Sequence, residues 1–105
     1  MRICFPTGIQ IPVWNWFTGA KYILRRSDEI EPSPSHASQI VSIGNEPDVY
    51  KWLFQAVLEG KPYPREMAVA WLAWSSQGWR EQSHFVFVVT TESNEIVAGC
   101  DIEIN

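Results

Sequence analysis

Residues 84–104, HFVFVVTTESNEIVAGCDIEI, carry the pattern that decides the fold. Their first part is rich in Phe and Val, and strand alternation places Phe85, Phe87 and Val89 on one face. A polar segment, residues 91–95, follows as turn material. Alternation with period two then continues, with one face formed by Ile96, Ala98, Cys100, Ile102 and Ile104. The pattern predicts an antiparallel β-hairpin.

The stretch before the hairpin predicts a helix that packs on it. Between Pro64 and Gln82, apolar side chains recur at helical spacing, and Met67, Trp71 and Trp74 lie on one stripe. We expect this helix to cover one of the two faces of the first hairpin strand, either the Phe face or the Val face.

Further elements precede this helix. Residues 21–26, KYILRR, predict a short strand, and residues 33–44 predict a helix that ends at its glycine. A second helix is expected over 45–60, with Asn45 as its N-cap. Residues 1–20 are expected to form an arm or an edge strand. The order strand, helices, strand, strand predicts an α+β fold.

The composition indicates one small cytoplasmic domain. The chain has 105 residues, of which 46% are apolar, including six Trp and five Phe, so a packed core is expected. The net charge of −4 argues against a nucleic-acid partner. No apolar run reaches the roughly 18 residues of a membrane span. Cys4 and Cys100 are expected to be reduced and mostly buried, with a disulfide between them as the alternative.

Four phrases resemble the GNAT superfamily of N-acetyltransferases, in its ribosomal-protein and spermidine-type branch. Residues 22–26, YILRR, look like the family's L-x-L-R strand phrase, and residues 45–53, NEPDVYKWL, are similar to N-D-P-E-V-x-x-W/F-L. Residues 62–71, PYPREMAVAW, are similar to P-x-T-x-E-x-A-x-x-W/F. Residues 85–104 resemble the family's central hairpin, which usually ends x-I-V-G-x-I-x-L. The resemblance covers about residues 20–105.

The resemblance implies a fold and a limit on activity. It identifies residues 21–105 as the N-terminal half of a GNAT-like domain that lacks the acetyl-CoA-binding second half. In the family, the next strand and a Q/R-x-x-G-x-G/A loop hold acetyl-CoA, and the loop uses N–H groups at a helix N-terminus. This sequence contains no such loop. Ala98 separates Val97 from Gly99 where the family has a V-G pair, which predicts a bulge or a register change.

The expected function follows from this half domain. We expect no catalytic or cofactor-binding residue, and no acetyl transfer by the isolated chain, which would be a remnant or one half of a split enzyme. Acetyl-CoA is expected only if a complementary second half exists. The alternative is a small-molecule-binding or structural module, with its ligand between the second and third helices and the sheet. A third alternative is an unrelated α+β protein.

Five residues are candidates for substrate binding. Glu46 and Tyr50 lie where the family places its acceptor-facing loop. Trp71 and Trp74, together with Trp79, could form a cage for a cationic amine through cation–π contacts, although their helical spacing favours core packing. Trp52 is a separate candidate for which core packing is likewise the competing interpretation. The sequence offers no metal-ligand constellation. The two histidines are His36 and His84, and His84 is interpreted as a surface or strand-edge residue rather than a general base.

The hairpin's second strand predicts the partner. A strand over 96–104 that ends the sheet would expose unpaired backbone groups, which are a template for another strand. We expect a homodimer through this edge, with a complementary chain as a further candidate. The competing expectation is a monomer in which residues 9–17 cover the exposed surface.

Overall fold

The computed structural model describes residues 4–104 and has an α+β fold. Its antiparallel sheet has the strand order β1-β2-β3-β4, formed by β1 (Ile11–Trp14), β2 (Lys21–Arg26), β3 (His84–Thr90) and β4 (Ile96–Glu103). Three helices connect β2 to β3: α1 (His36–Gly44), α2 (Pro47–Leu53) and α3 (Arg65–Glu81). The predicted α+β class is therefore confirmed, and the predicted hairpin is β3 with β4.

Helices α1 and α3 cover the Val face of β3. Val86 and Val88 are fully buried there, and Val88 belongs to a core with Ile40 of α1 and Ala68 of α3. Burial of such side chains contributes roughly 1.5–3 kcal/mol each, so this layer supplies much of the stability. The sequence did not distinguish the Phe face from the Val face, and the structure shows that the helices cover the Val face.

The Phe face is covered by the N-terminal arm. Phe5 lies with its ring centre 5.0 Å from that of Phe85 and 5.3 Å from that of Phe87. Ile9 and Leu24 pack against the same aromatic cluster. The first twenty residues thus supply both an arm and, through β1, an edge strand, and residues 1–3 lie outside the described residues.

Trp79 links the two layers at the point where β2 ends. Its indole Nε1 donates to the carbonyl oxygen of Val86 at 3.0 Å and to the Ser27 hydroxyl at 3.1 Å. The ladder between β2 and β3 ends at Arg26 and Phe87, so the indole provides the hydrogen bond that a longer β2 would have provided. The indole therefore continues the hydrogen bonding of the sheet.

A bulge shifts the faces of β4. Val89 pairs with Ala98, whereas Thr90 pairs with Ile96, so Val97 of β4 has no partner on β3. The predicted bulge near Ala98 is confirmed. It places Ile96 in the core beneath the helices, with 2% of its surface exposed. The prediction that Ile96 shares a face with Cys100 is therefore wrong.

The second helix is shorter than predicted. It ends at Leu53 rather than at Gly60, and turns follow it. Its N-cap is Glu46, whose side chain accepts from two backbone N–H groups, and not Asn45. Trp52 and Leu53 are largely exposed, because α2 has few neighbours on that side. These two apolar side chains of α2 are therefore not part of the core.

The cysteines and the helices' hydropathy complete the description. Cys4 and Cys100 are free and exposed, so the predicted burial is wrong and they form no disulfide with each other. Among residues 4–104, no helix has the length and apolar character that crossing a membrane requires.

Candidate functional site

Glu46 caps a helix at the edge of a groove. Its Oε2 accepts from the backbone N–H groups of Asp48 and Val49, both at 3.1 Å. A carboxylate at this position also complements the positive end of the helix dipole. Glu46 lies beside a shallow groove between α1 and the start of β4, which Val97 also lines. The Glu46 carboxylate is therefore occupied by its hydrogen bonds to the start of α2.

Tyr50 and Trp52 lie on opposite sides of α2. The Tyr50 hydroxyl donates to the carbonyl oxygen of Lys61 and so fastens α2 to the segment before α3. Trp52 is 77% exposed, and the Nζ of Lys51 lies 5.2 Å from its ring centre. The indole face of Trp52 is thus already approached by a cation of the chain itself.

Trp74 is a packing residue. Its ring stacks on His84 with a centroid distance of 3.9 Å and an interplanar angle of 15°. His84 Nε2 donates to the Trp74 carbonyl oxygen at 2.7 Å, because a carbonyl can only accept. Gly78 permits this approach, since a Cβ on it would lie 2.3 Å from the imidazole ring. His84 is the first residue of β3 and is buried, so of the two predicted settings, surface or strand edge, the surface is wrong.

Trp71 is the predicted site residue that lines the two cavities between α3 and the sheet. It is half-buried on α3 and lies against Gly99 of β4, where a Cβ would meet its ring at 3.1 Å. The structure does not bring Trp71, Trp74 and Trp52 together around one ligand. Trp71 therefore carries the candidate site without the other two.

The cavity beside Trp71 has a volume of about 150 Å³ and lies between α1, α2, α3 and β4. Its lining is almost entirely apolar and consists of Ile40, Ile43, Gly44, Val49, Leu53, Phe54, Tyr63, Trp71 and Gly99. Leu53 is largely exposed, so the cavity opens to solvent beside α2. A lining of this kind suits a small apolar group rather than an ion.

Asn45 holds the wall of this cavity in place. Its Oδ1 accepts from the Tyr63 N–H at 2.9 Å, and its Nδ2 donates to the carbonyl oxygens of Tyr63 and Val41, both at 3.1 Å. Gly44 permits the contact, because a Cβ there would lie 2.6 Å from the Tyr63 ring. Burial raises the pKa of Tyr63 above its ordinary value. Sequence reasoning assigned Asn45 and Gly44 to helix ends and missed this role.

A second cavity, of about 160 Å³, lies on the other side of Trp71 and is more polar. His36 lines it, and His36 Nε2 donates to the Asn94 carbonyl oxygen at 2.9 Å. Ser75 also lines it and donates to the Leu72 carbonyl oxygen at 2.7 Å. Both groups are therefore committed to holding the fold, and His36 joins α1 to the β3–β4 turn.

Metal-ligand geometry is absent from the described part of the chain. No group of three or more His, Cys, Asp or Glu side chains within residues 4–104 is placed to hold a metal ion. Both histidine rings in this range are bound to backbone carbonyl oxygens.

The tip of the β1–β2 hairpin is an exposed aromatic surface that the sequence did not predict as functional. Trp16 and Phe17 are 92% and 95% exposed, and Trp14 is 61% exposed. Asn15 orders the tip, because its Oδ1 accepts from the N–H groups of Phe17 and Thr18 at 2.9 and 3.1 Å. The close spacing of the aromatic residues could have indicated this surface. An arm whose aromatic side chains pack onto the core would show the same spacing, so the sequence did not distinguish the two.

Comparison of the chain with protein-family models, with curated proteins and with solved structures gives no match.

Proposed function

We propose that residues 21–104 form the acceptor-side half of a GNAT-like N-acetyltransferase fold, and that this chain does not transfer acetyl groups alone. One observation carries the proposal: each family-like phrase lies on the element that the resemblance requires. YILRR lies on β2, NEPDVYKWL leads into and forms α2, and PYPREMAVAW leads into α3. The fourth phrase forms the hairpin of β3 and β4.

The sheet order supports the same proposal. β2 pairs with β3, and β3 pairs with β4, all antiparallel, as a first strand followed by a central hairpin requires. The strand that follows this hairpin in the resembled family would pair with β4. Within residues 4–104, the outer side of β4 is not paired with a further strand.

Acetyl-CoA would need a binding loop from elsewhere. Pyrophosphate is held by converging N–H groups, usually in a glycine-rich loop at a helix N-terminus. Helix α1 follows Ser33-Pro-Ser35, α3 follows Pro62-Tyr-Pro64, and the N-terminus of α2 is filled by Glu46. The loop would come from another polypeptide or from residues after Asn105.

The cavity beside Trp71 is the proposed ligand site of this half. It lies between the helices and β4, where the half domain would receive an acceptor, and its lining suits an apolar side chain or ring of that molecule. The same cavity would serve the alternative function, a small-molecule-binding module without acetyl transfer.

A chimera tests the GNAT-like proposal. Residues 1–104 would be joined to the acetyl-CoA-binding half of a spermidine-type N-acetyltransferase. We expect the chimera to fold and to bind acetyl-CoA. We also expect slower hydrogen exchange, compared with the chain alone, at the β4 amides that point away from β3. A chimera whose halves fold independently, with unchanged exchange in β4, would count against the proposal.

Two further proposals concern the partner and the compartment. We propose that the chain alone forms a homodimer through the outer edge of β4, where Ile102 and the adjacent Ile104 are 47% and 44% exposed. Sedimentation at micromolar concentration tests this, and a clean monomer would overturn it.

The two free, exposed thiols of Cys4 and Cys100 support a cytoplasmic location, where thiols stay reduced.

The aromatic tip favours a second candidate function, an interaction module. Exposed apolar patches on small proteins commonly mark contact sites, and Trp14, Trp16 and Phe17 form such a patch. The triple substitution of these residues by Ser leaves the cavity beside Trp71 untouched. Loss of partner capture from this variant, with unchanged ligand binding at the cavity, would favour the interaction module.

A further inference from the structure

The outer edge of β4 has a defined pattern of free backbone groups. The N–H of Ile104 donates to the Ser83 carbonyl oxygen at 3.4 Å, which continues the ladder between β3 and β4. In an antiparallel ladder, backbone groups point alternately toward and away from the neighbouring strand. The N–H and C=O groups of Gly99, Asp101 and Glu103 therefore point away from β3, toward the open edge.

The bond from Trp79 supports this assignment independently. Val86 pairs with Asp101 across the two strands. In such a pair, either both residues point their N–H and C=O groups toward the neighbouring strand or both point them away from it. Trp79 donates to the Val86 carbonyl oxygen from the β2 side. Val86 therefore directs its groups away from β4, and Asp101 directs its groups away from β3.

Charge restricts how a second copy could pair with this edge. Two antiparallel copies related by a two-fold axis place one residue opposite itself at the centre. With Asp101 at the centre, two carboxylates face each other. With Ile102 at the centre, Asp101 faces Glu103. Like charges directly opposite destabilise a strand pair, so these two registers are disfavoured. With Gly99 at the centre, Asp101 faces Val97, the residue of β4 that the bulge leaves unpaired, so the bulge interrupts the ladder next to its centre.

Among the four registers centred on residues 99–102, the one centred on Cys100 keeps like charges apart and keeps its central pairs clear of the bulge. With Cys100 at the centre, Asp101 lies opposite Gly99 of the second copy, and Glu103 lies opposite Val97. Gly99 and Asp101 both direct backbone groups outward, so they would form hydrogen-bonded pairs. Ile102 would lie opposite Ala98 on the same face, which brings apolar side chains together.

We infer that two copies of this chain pair through β4 in the register that places Cys100 opposite Cys100 and joins both sheets into one. The inference rests on the homodimer proposed above and names its geometry. The Cys100 pair would be non-hydrogen-bonded, with a Cα separation of about 4.5 Å. That separation is within the range of about 4.4–6.8 Å that a disulfide bridges.

The same edge would also serve the strand of a second half domain. Both occupants need the outward groups of Gly99 and Asp101, so they exclude each other. The homodimer is then the form of the chain on its own, and addition of a complementary half should dissociate it.

Oxidative cross-linking in a Cys4→Ser background, where Cys100 is the only cysteine, tests the register. Copper(II)–phenanthroline in air would oxidise the two facing thiols to a disulfide, and oxygen takes up the two electrons and two protons. We expect the band to shift from monomer to dimer on a non-reducing gel and to return with dithiothreitol. Two matched variants carry Cys4→Ser and Cys100→Ser with either Asp101→Cys or Ile102→Cys. Neither is expected to cross-link comparably, because these residues do not face themselves.

Each other outcome has a definite meaning. A dimer by sedimentation that cross-links through Ile102→Cys or Asp101→Cys, and not through Cys100, would overturn the register and leave the homodimer standing. A dimer in which none of the three positions cross-links would place the contact elsewhere and overturn the inference. A monomer by sedimentation would overturn both the register and the homodimer, while the chimera still tests the GNAT-like fold.

Discussion

The guanidinium carbon of Arg26 lies 4.0 Å from the centre of the Trp79 ring. The same guanidinium donates to the carbonyl oxygens of Phe5 and Pro6 at 3.1 and 3.0 Å, and to the carboxylate of Asp28. The hydrogen bond to Asp28 raises the pKa of Arg26, so it stays charged. One side chain thus fastens the N-terminal arm to the end of β2 and to α3.

Arg26→Ala should release this arm. The variant loses charge-assisted hydrogen bonds and the cation–π contact, so the free energy of unfolding should fall by about 2–3 kcal/mol in chemical denaturation. Proteolysis within residues 4–10 should become faster. Arg80→Ala, at an exposed position of α3, is the control and should change stability by about 0.5 kcal/mol or less. Equal effects of the two substitutions would contradict the assigned role of Arg26.

Trp71→Ala should be costly because the ring packs on Gly99 and forms the wall between two cavities. Truncation of a large core aromatic side chain costs about 3–5 kcal/mol, and a half-buried ring should lie near the lower end. Trp52→Ala is the matched control, since Trp52 is largely exposed. Thermal and chemical unfolding of both variants measure the difference. An unchanged melting temperature for Trp71→Ala would show that this ring does not support the core.

Alkaline pH should destabilise the protein through Tyr63. Burial raises the pKa of Tyr63 above the ordinary value of 10.0, which the unfolded chain keeps. As the pH rises through the ordinary value, the unfolded state loses the proton first, so stability falls. The contribution of Tyr63 to stability is fully present below about pH 10 and is lost as the pH rises through the folded-state pKa. Tyr63→Phe should weaken this fall. Parallel curves of stability against pH for the two proteins would argue against it.

Asp101→Pro should dissociate the proposed dimer without unfolding the monomer. The Asp101 N–H points away from β3, so proline removes an outward donor and no β3–β4 bond. Sedimentation should then give a monomer with near-native circular dichroism. Asp101→Asn keeps the N–H and should remain a dimer. A dimeric Asp101→Pro variant would show that the contact does not use this backbone group.

The sequence predicted the elements that have strong local patterns. The hairpin, α3 and β2 follow from alternation and helical spacing, and the interruption at Ala98 predicted the bulge. The faces of β4 were assigned wrongly, because a bulge reverses the alternation on one side of itself. Ile96 therefore entered the helix-side core while Cys100 did not.

The candidate site could be predicted only in part. Trp71 was identified from its residue type and spacing, but Trp74 has the same signals and instead stacks on His84. The role of Asn45 depends on Tyr63, eighteen residues away in the chain, and no local pattern links them. Helix α2 was predicted too long because helical spacing continues past Leu53, where the chain instead forms turns that pack Phe54 and Leu58 against the core.

Calorimetric titration of the 105-residue chain with acetyl-CoA is the decisive measurement for the proposed function. We propose that residues 21–104 form the acceptor-side half of a GNAT-like domain, which needs an acetyl-CoA loop from elsewhere. We expect no binding heat at micromolar protein and ligand concentrations, whereas the chimera with a cofactor-binding half should bind. A micromolar Kd for acetyl-CoA with the unmodified chain would rule out the proposal.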